Sequence, residues 1–224
     1  MTKGFFVTAT DTEAGKTYIS ALLIKALKER GLKTGYFKAA LSGDENGLND
    51  GTYVIDSCGL DTALEEAVAF RYRTPVSPHL AGRLENSPFD LSAAAGVWQG
   101  VRDNYRAVVA EGSGGIVCPL RWDDEAKVML ADVIRLTALP LIIVVPCRVG
   151  AINAAVLTGA YCRGIGLPPL GFILNYFQER DPIHRDNAKM IEELTGLPIL
   201  ARVSMGAESI EIEKLLSLQG EPLK

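Results

Sequence analysis

Short apolar runs alternate with amphipathic stretches from one end of the chain to the other. Residues 4–8, Gly-Phe-Phe-Val-Thr, have the aromatic and β-branched content of a buried parallel strand. Beyond them Ile19, Leu22, Leu23, Ala26 and Leu27 recur at helical spacing, and Gly31 offers a C-cap. The pattern next predicts a strand over 33–38 that ends in Lys38, Ser42 and Gly43 in a turn, a loop over 44–50, and a helix from Thr52. A strand over 68–72 leads into residues 74–79, where two prolines predict an extended, irregular connection. Asp90 opens a helix to about residue 106, with Val97, Val101 and Tyr105 as its buried face. A strand over 107–110 ends in Glu111, and Asp123, Asp124 and Glu125 precede a helix predicted over 126–137. Strands over 141–145, 170–174 and 199–203 alternate with helices from Ile152, over 185–195 and over 208–218. Such alternation, with right-handed crossovers, predicts one α/β domain over residues 1–224, a mainly parallel sheet with helices on both faces.

The junction of the first strand and helix carries the clearest chemistry. Between them lies Ala9-Thr10-Asp11-Thr12-Glu13-Ala14-Gly15-Lys16-Thr17, a phosphate-binding loop of the P-loop NTPase kind. The first N–H groups of the helix have no intrahelical partner and face an anion together with the positive end of the helix dipole. Gly15 lets the backbone approach, Lys16 supplies a cation for the β- and γ-phosphates, and the Thr17 hydroxyl can ligate Mg²⁺. The glycine that usually starts such a loop is missing. A Cβ at a corner with positive φ costs about 1–2 kcal/mol, so Ala9 is expected in ordinary extended backbone.

Composition narrows the setting. The net charge of −4 argues against a chain that lives on nucleic acid or an anionic membrane. The four cysteines form no Cys-x-x-Cys pair, and no run approaches the ~20 apolar residues of a membrane span, so a soluble protein of the reducing cytoplasm is expected. His79 and His184 are the only histidines, and both are left outside the catalytic set.

Three further positions fall where ligands of parallel sheets bind, beyond the carboxyl ends of strands. Lys38 closes the second predicted strand. Asp50 is either a helix N-cap or a metal ligand. Glu111 ends an apolar strand and precedes Gly112-Ser113-Gly114-Gly115, an acid placed as P-loop proteins place one near Mg²⁺. Asn175, at another strand end, suits either a turn or the edge of a base such as adenine.

Taken together these stretches resemble the ATP-dependent dethiobiotin synthetase family over most of the chain. Residues 10–17 look like its phosphate loop, Lys38 with Ser42-Gly43 like its second-strand lysine motif, Glu111-Gly112-Ser113-Gly114-Gly115 like its Glu-Gly-Ala-Gly-Gly motif, and Gly150-Ala151-Ile152-Asn153 like its substrate-side helix start. The resemblance implies closure of the ureido ring of 7,8-diaminononanoate with CO₂ and ATP, through a carbamate and a carbamic-phosphoric anhydride. It implies Lys16 and Lys38 as catalytic cations and Mg²⁺ on Thr17, Asp50 and Glu111. Nucleotide contacts are implied for Glu13, Ala14, Gly15, Lys16, Thr17, Tyr18, Asp50, Glu111, Gly112, Ser113, Gly114, Asn175, Tyr176, Ser204 and Met205. Thr12, Ser42, Gly150 and Asn153 are implied on the substrate, the last two across the interface of a homodimer. Departures from the family pattern are Ala9 in the loop, Ala39-Ala40-Leu41 after Lys38 and Ser204-Met205 where a proline-led adenine wall is common. The competing readings are a different P-loop ATPase of similar architecture and a non-catalytic nucleotide-binding module.

Overall fold

The computed structural model describes residues 3–44 and 49–218. Its strands are β1 (Lys3–Ala9), β2 (Thr34–Ser42), β3 (Val68–Tyr72), β4 (Ala107–Glu111), β5 (Pro119–Trp122), β6 (Lys127–Met129), β7 (Leu141–Pro146), β8 (Gly171–Asn175) and β9 (Ile199–Val203). The helices are α1 (Lys16–Glu29), α2 (Asp50–Cys58), α3 (Leu64–Ala67), α4 (Pro78–Leu84), α5 (Leu91–Asn104), α6 (Leu130–Thr137), α7 (Ala151–Gly164), α8 (Pro182–Thr195) and α9 (Glu213–Ser217). Seven strands form one sheet in the order β3-β2-β4-β1-β7-β8-β9, and every pairing in it is parallel.

The apolar pattern explains the layers. β1 lies at the centre, and Phe5, Val7 and Ala9 face one core with Ile19, Leu22 and Leu23 of α1, Val54 of α2 and Leu215 of α9. Phe6 faces the opposite core, with Trp98 of α5, Val133 of α6, Ala155 of α7 and Ile191 of α8. Both faces of the sheet are thus covered, which is why the central strands read as uninterrupted apolar runs.

Five expectations are corrected. β2 does not end at Lys38 but runs to Ser42. β4 pairs with it only as far as Lys38 opposite Glu111, and β3 takes over from Lys38 opposite Val68 to Ser42 opposite Tyr72. The connection over 74–79 is not wholly irregular, since Pro78 starts α4 from the first helical position, where a missing N–H costs nothing. The acids at 123–125 precede no helix. They turn the antiparallel β5–β6 hairpin, where Asp123 accepts from the N–H groups of Glu125 (3.0 Å) and Ala126 (2.8 Å) and pairs with Arg121. α6 therefore starts at Leu130, its first turn closed by Asp132 accepting from the Met129 N–H at 2.9 Å. The buried face of α5 is Ala94, Trp98 and Val101, while Val97 and Tyr105 are half-buried. The last helix is only α9. Before it Ile210 and Ile212 are buried and their neighbours exposed, a period of two that no α-helix satisfies. Of the loop expected over 44–50, residues 45–48 lie outside the described residues.

Candidate functional site

β1 leads into a 3₁₀ turn, Thr12–Ala14, and then into α1. Gly15 joins the two at φ +84°, and a Cβ built there would stand 2.2 Å from the Asn175 Nδ2. Only glycine fits the corner, on both conformational and steric grounds. Ala9 lies within β1, opposite Val144 in the parallel register and without positive φ, as its Cβ requires.

The lysine of this loop is buried. Lys16 Nζ donates to the carbonyls of Asp11 (3.2 Å) and Thr12 (3.1 Å), so the side chain folds back over its own loop. Desolvation lowers its pKa, a shift that the negative charge of Glu111 opposes and the positive charge of Lys38 assists.

Two strands away in the chain but adjacent in the sheet, Lys38 and Glu111 sit opposite each other on β2 and β4, each almost wholly buried. Lys38 Nζ donates to Glu111 Oε1 and to Asp50 Oδ2, both at 2.6 Å. Burial alone would lower the pKa of this ammonium, yet the two carboxylates outweigh it and the net shift is upward. For Asp50, burial works upward and the Lys38 charge overcomes it, so its pKa is lowered. Thr17 Oγ1 donates to Glu111 Oε1 at 2.9 Å, which links the phosphate loop to the lysine and its acids. The choice left open for Asp50 is settled on the capping side by its neighbour. Asn49 is the N-cap of α2, accepting from the Thr52 N–H at 3.0 Å, and Asp50 in the first turn keeps its carboxylate for Lys38.

Of the glycines after Glu111, Gly112 is the crowded one. A Cβ at Gly112 would meet the Leu130 side chain at 2.9 Å, and Ser113 Oγ donates to the Ala40 carbonyl at 2.5 Å, tying this loop to β2. On the other side of the phosphate loop Asn175 is fully buried. Its Nδ2 donates to the Ala14 carbonyl at 2.9 Å and its Oδ1 accepts from the Tyr176 N–H at 3.0 Å, so it clamps the loop while retaining one N–H and one lone pair. Tyr176 stands at φ +59°, a strained conformation for a side chain of its size. Tyr18 of α1 donates from its hydroxyl to the Ala207 carbonyl, which brings the exposed Ser204 and Met205 turn beside the loop.

The substrate-side residues are more dispersed. Thr12 lies in the phosphate loop and Ser42 is the final residue of β2, whereas Gly150, at φ +90°, caps α7 and Asn153 is exposed on its first turn. Arg148 connects that region to the loop through an exposed ion pair with Asp11 at 3.1 Å.

Tyr36, which the sequence marks only as part of the strand over 33–38, donates from its hydroxyl to Glu111 Oε2 at 2.9 Å. An aromatic residue in an apolar strand reads as filling. Its only signal is its place two residues before Lys38, on the same face of β2.

Among the described residues no three His, Cys, Asp or Glu side chains gather as a metal cluster. The donors present are two carboxylates and a hydroxyl joined by one hydrogen-bond network. That set fits Mg²⁺, which takes hard oxygens and is usually held by one or two carboxylates with water and substrate phosphates completing the shell.

A parallel sheet whose central strand opens through a glycine-bearing turn into a helix, with a lysine, a threonine and a neighbouring strand-end carboxylate around that turn, defines a P-loop nucleotide-binding protein. Solved structures agree on the fold. The MinC:MinD cell division complex of Aquifex aeolicus aligns at TM-score 0.57 and 16% identity, covering 98% of this chain and 87% of that one. A ParA family ATPase from Chlorobium tepidum aligns at TM-score 0.58 and 19% identity, covering 98% and 91%. A family model described as an AAA domain matches residues 3–212. Proteins named ATP-dependent dethiobiotin synthetase BioD are nearer in sequence. That of Brachyspira hyodysenteriae is 39% identical over 219 residues, 97% of this chain and 99% of the relative. That of Clostridium perfringens is 43% identical over 208 residues, 91% of each. The chain belongs to the ATP-dependent dethiobiotin synthetase family.

Proposed function

We propose that this protein converts 7,8-diaminononanoate, CO₂ and ATP into dethiobiotin, ADP and phosphate. The observation that carries this reading is the gathering of Lys16, Thr17, Lys38, Asp50 and Glu111 where three neighbouring strands, β1, β2 and β4, approach one another. In the reaction one amine adds to CO₂ and loses a proton, giving a carbamate. A carbamate oxygen attacks the γ-phosphorus, the bond to the bridging oxygen breaks, and ADP leaves. The second amine then attacks the carbamoyl carbon, its proton leaves with the departing phosphate, and the ring closes. No strong base is required of the protein. The demand is for fixed cations where charge develops and for a nucleophile held in line. Lys16 serves the β- and γ-phosphate oxygens, and Lys38 serves the carbamate and the transferring phosphoryl group. Thr17, Asp50 and Glu111 would hold Mg²⁺, which supplies charge neutralisation on the phosphates.

For the nucleotide we assign the loop from Glu13 through Tyr18, the glycine run from Gly112 to Gly114, and Asn175, Tyr176, Ser204 and Met205. The Tyr18 and Asn175 hydrogen bonds support this grouping, since they tie these segments to one loop. Thr12 and Ser42 face the diamine from the same chain. Gly150 and Asn153 act across a homodimer, a reading supported by Val149, Leu157 and Tyr161, apolar residues that α7 and its entry leave 82%, 61% and 37% exposed beside Asn153. No described helix is long and apolar enough to cross a membrane, and four free, buried cysteines favour a reducing cytoplasm. The whole of residues 1–224 is assigned to one catalytic domain.

Phosphate release from ATP and Mg²⁺ in bicarbonate, with and without the diamine, tests the reading. Release that depends on the diamine supports it, and release indifferent to the diamine rejects it.

A further inference from the structure

We infer that Tyr36 is a positioning residue of the metal site, its hydroxyl fixing the rotation of the Glu111 carboxylate so that one defined oxygen faces Thr17 and Lys38. This rests on the metal assignment proposed above.

Glu111 is 1% exposed and receives three donors. Thr17 Oγ1 and Lys38 Nζ both donate to Oε1, and among the described residues the phenol of Tyr36 alone donates to Oε2. The last torsion of a glutamate is broad and roughly two-fold, so a carboxylate held at one oxygen only would rotate about it. Holding Oε2 removes that freedom. The phenol can do this because it is itself immobile. Its ring is 1% exposed within the α1-side core, on a strand whose register sets Tyr36 opposite Val109 and Lys38 opposite Glu111. Groups that orient metal-binding side chains in this way govern metal affinity without touching the ion.

Tyr36→Phe removes the hydroxyl and keeps the ring. Mn²⁺ titration in saturating ADP, followed by electron paramagnetic resonance, is expected to show affinity weakened about 10-fold or more. The Mg²⁺ concentration giving half-maximal turnover should rise with it while KM for the diamine stays unchanged. Wild-type Mn²⁺ affinity and Mg²⁺ dependence in a folded Tyr36→Phe protein, even with a lower melting temperature, would overturn the inference. Glu111→Gln separates the two levels of the argument. Weak Mn²⁺ binding in Glu111→Gln alone refutes the role of Tyr36 and leaves the metal assignment standing, whereas wild-type binding in Glu111→Gln refutes both. Should Tyr36→Phe not fold, the unmutated chain grown with fluorotyrosine answers the question. A solvent-shielded ¹⁹F resonance is expected to move when Mg²⁺ is added to the ADP complex and to stay fixed in Glu111→Gln. No shielded resonance responding to Mg²⁺ would overturn the inference.

Discussion

Lys38 keeps its charge in a place where a lone ammonium would lose it. Two carboxylates at 2.6 Å offset the desolvation of a side chain that is 3% exposed, and the same contacts hold it beside the phosphate loop. Lys16→Ala and Lys38→Ala are each expected to lower kcat at least about 100-fold, the scale for removing one fixed charge-stabilising group. Both should remain folded by circular dichroism, Lys38→Ala with a reduced melting temperature because Asp50 and Glu111 lose their shared cation. Wild-type rates in either variant would remove that lysine from the mechanism. The cysteines give a separate pH signature. Burial pushes the thiols of Cys118, Cys147 and Cys162 up to about 11. An unfolded thiol ionises near pH 8.5, so the unfolded chain sheds these protons first as pH rises. The stability they contribute is complete below about pH 8.5 and is lost between there and about pH 11. Thermal melts across this window should fall for the wild type and flatten when all three are replaced by alanine. At this scale the sequence singled out the loop, both lysines and Glu111 as candidates by residue type, and the fold brings Thr17 of that loop, Lys38 and Glu111 into contact. Asn49 as the cap and Tyr36 as a donor were hidden, since both depend on which neighbour the fold supplies.

The elements of the sheet were legible wherever burial on both faces enforced a continuous apolar run, as in β1, β4, β7 and β8. Legibility failed where an element owes its length or type to a partner. β2 extends past Lys38 because β3 continues the ladder, and the β5–β6 hairpin takes the first turn of an expected helix because Asp123 spends its carboxylate on a turn. Gly15 tests the strand-to-helix junction itself. Gly15→Ala requires a β-carbon at φ +84° against Asn175, so calorimetry should find ADP binding lost or weakened by orders of magnitude while α1 remains folded. Unchanged affinity would show that the corner does not shape the phosphate site. Leu23, fully buried under the sheet in α1, measures the packing of the same element. Leu23→Ala should cost about 2–5 kcal/mol in denaturant unfolding, the range for a cavity in a close-packed core.

Across the whole molecule, the seven-stranded order draws β1, β2 and β4 together, so residues from positions 17, 38 and 111 meet in one network. The fold class, a parallel sheet covered by helices on both faces, was readable from the alternation of strands and helices. Strand order was not, because it depends on crossovers that leave no local mark. The proposed second copy is equally invisible in one chain's pattern, and the exposed Val149, Leu157 and Tyr161 beside Asn153 are what support it. Leu157→Arg is expected to convert a dimer into monomers in sedimentation experiments and to raise KM for the diamine, and an unchanged sedimentation profile would exclude that face. The most direct test of the central claim is mass spectrometry of the reaction of the purified protein with the diamine, ATP, Mg²⁺ and ¹³C-bicarbonate. Dethiobiotin labelled in its ureido carbon is expected, formed in step with ADP. ATP hydrolysis that leaves the diamine unchanged would contradict it.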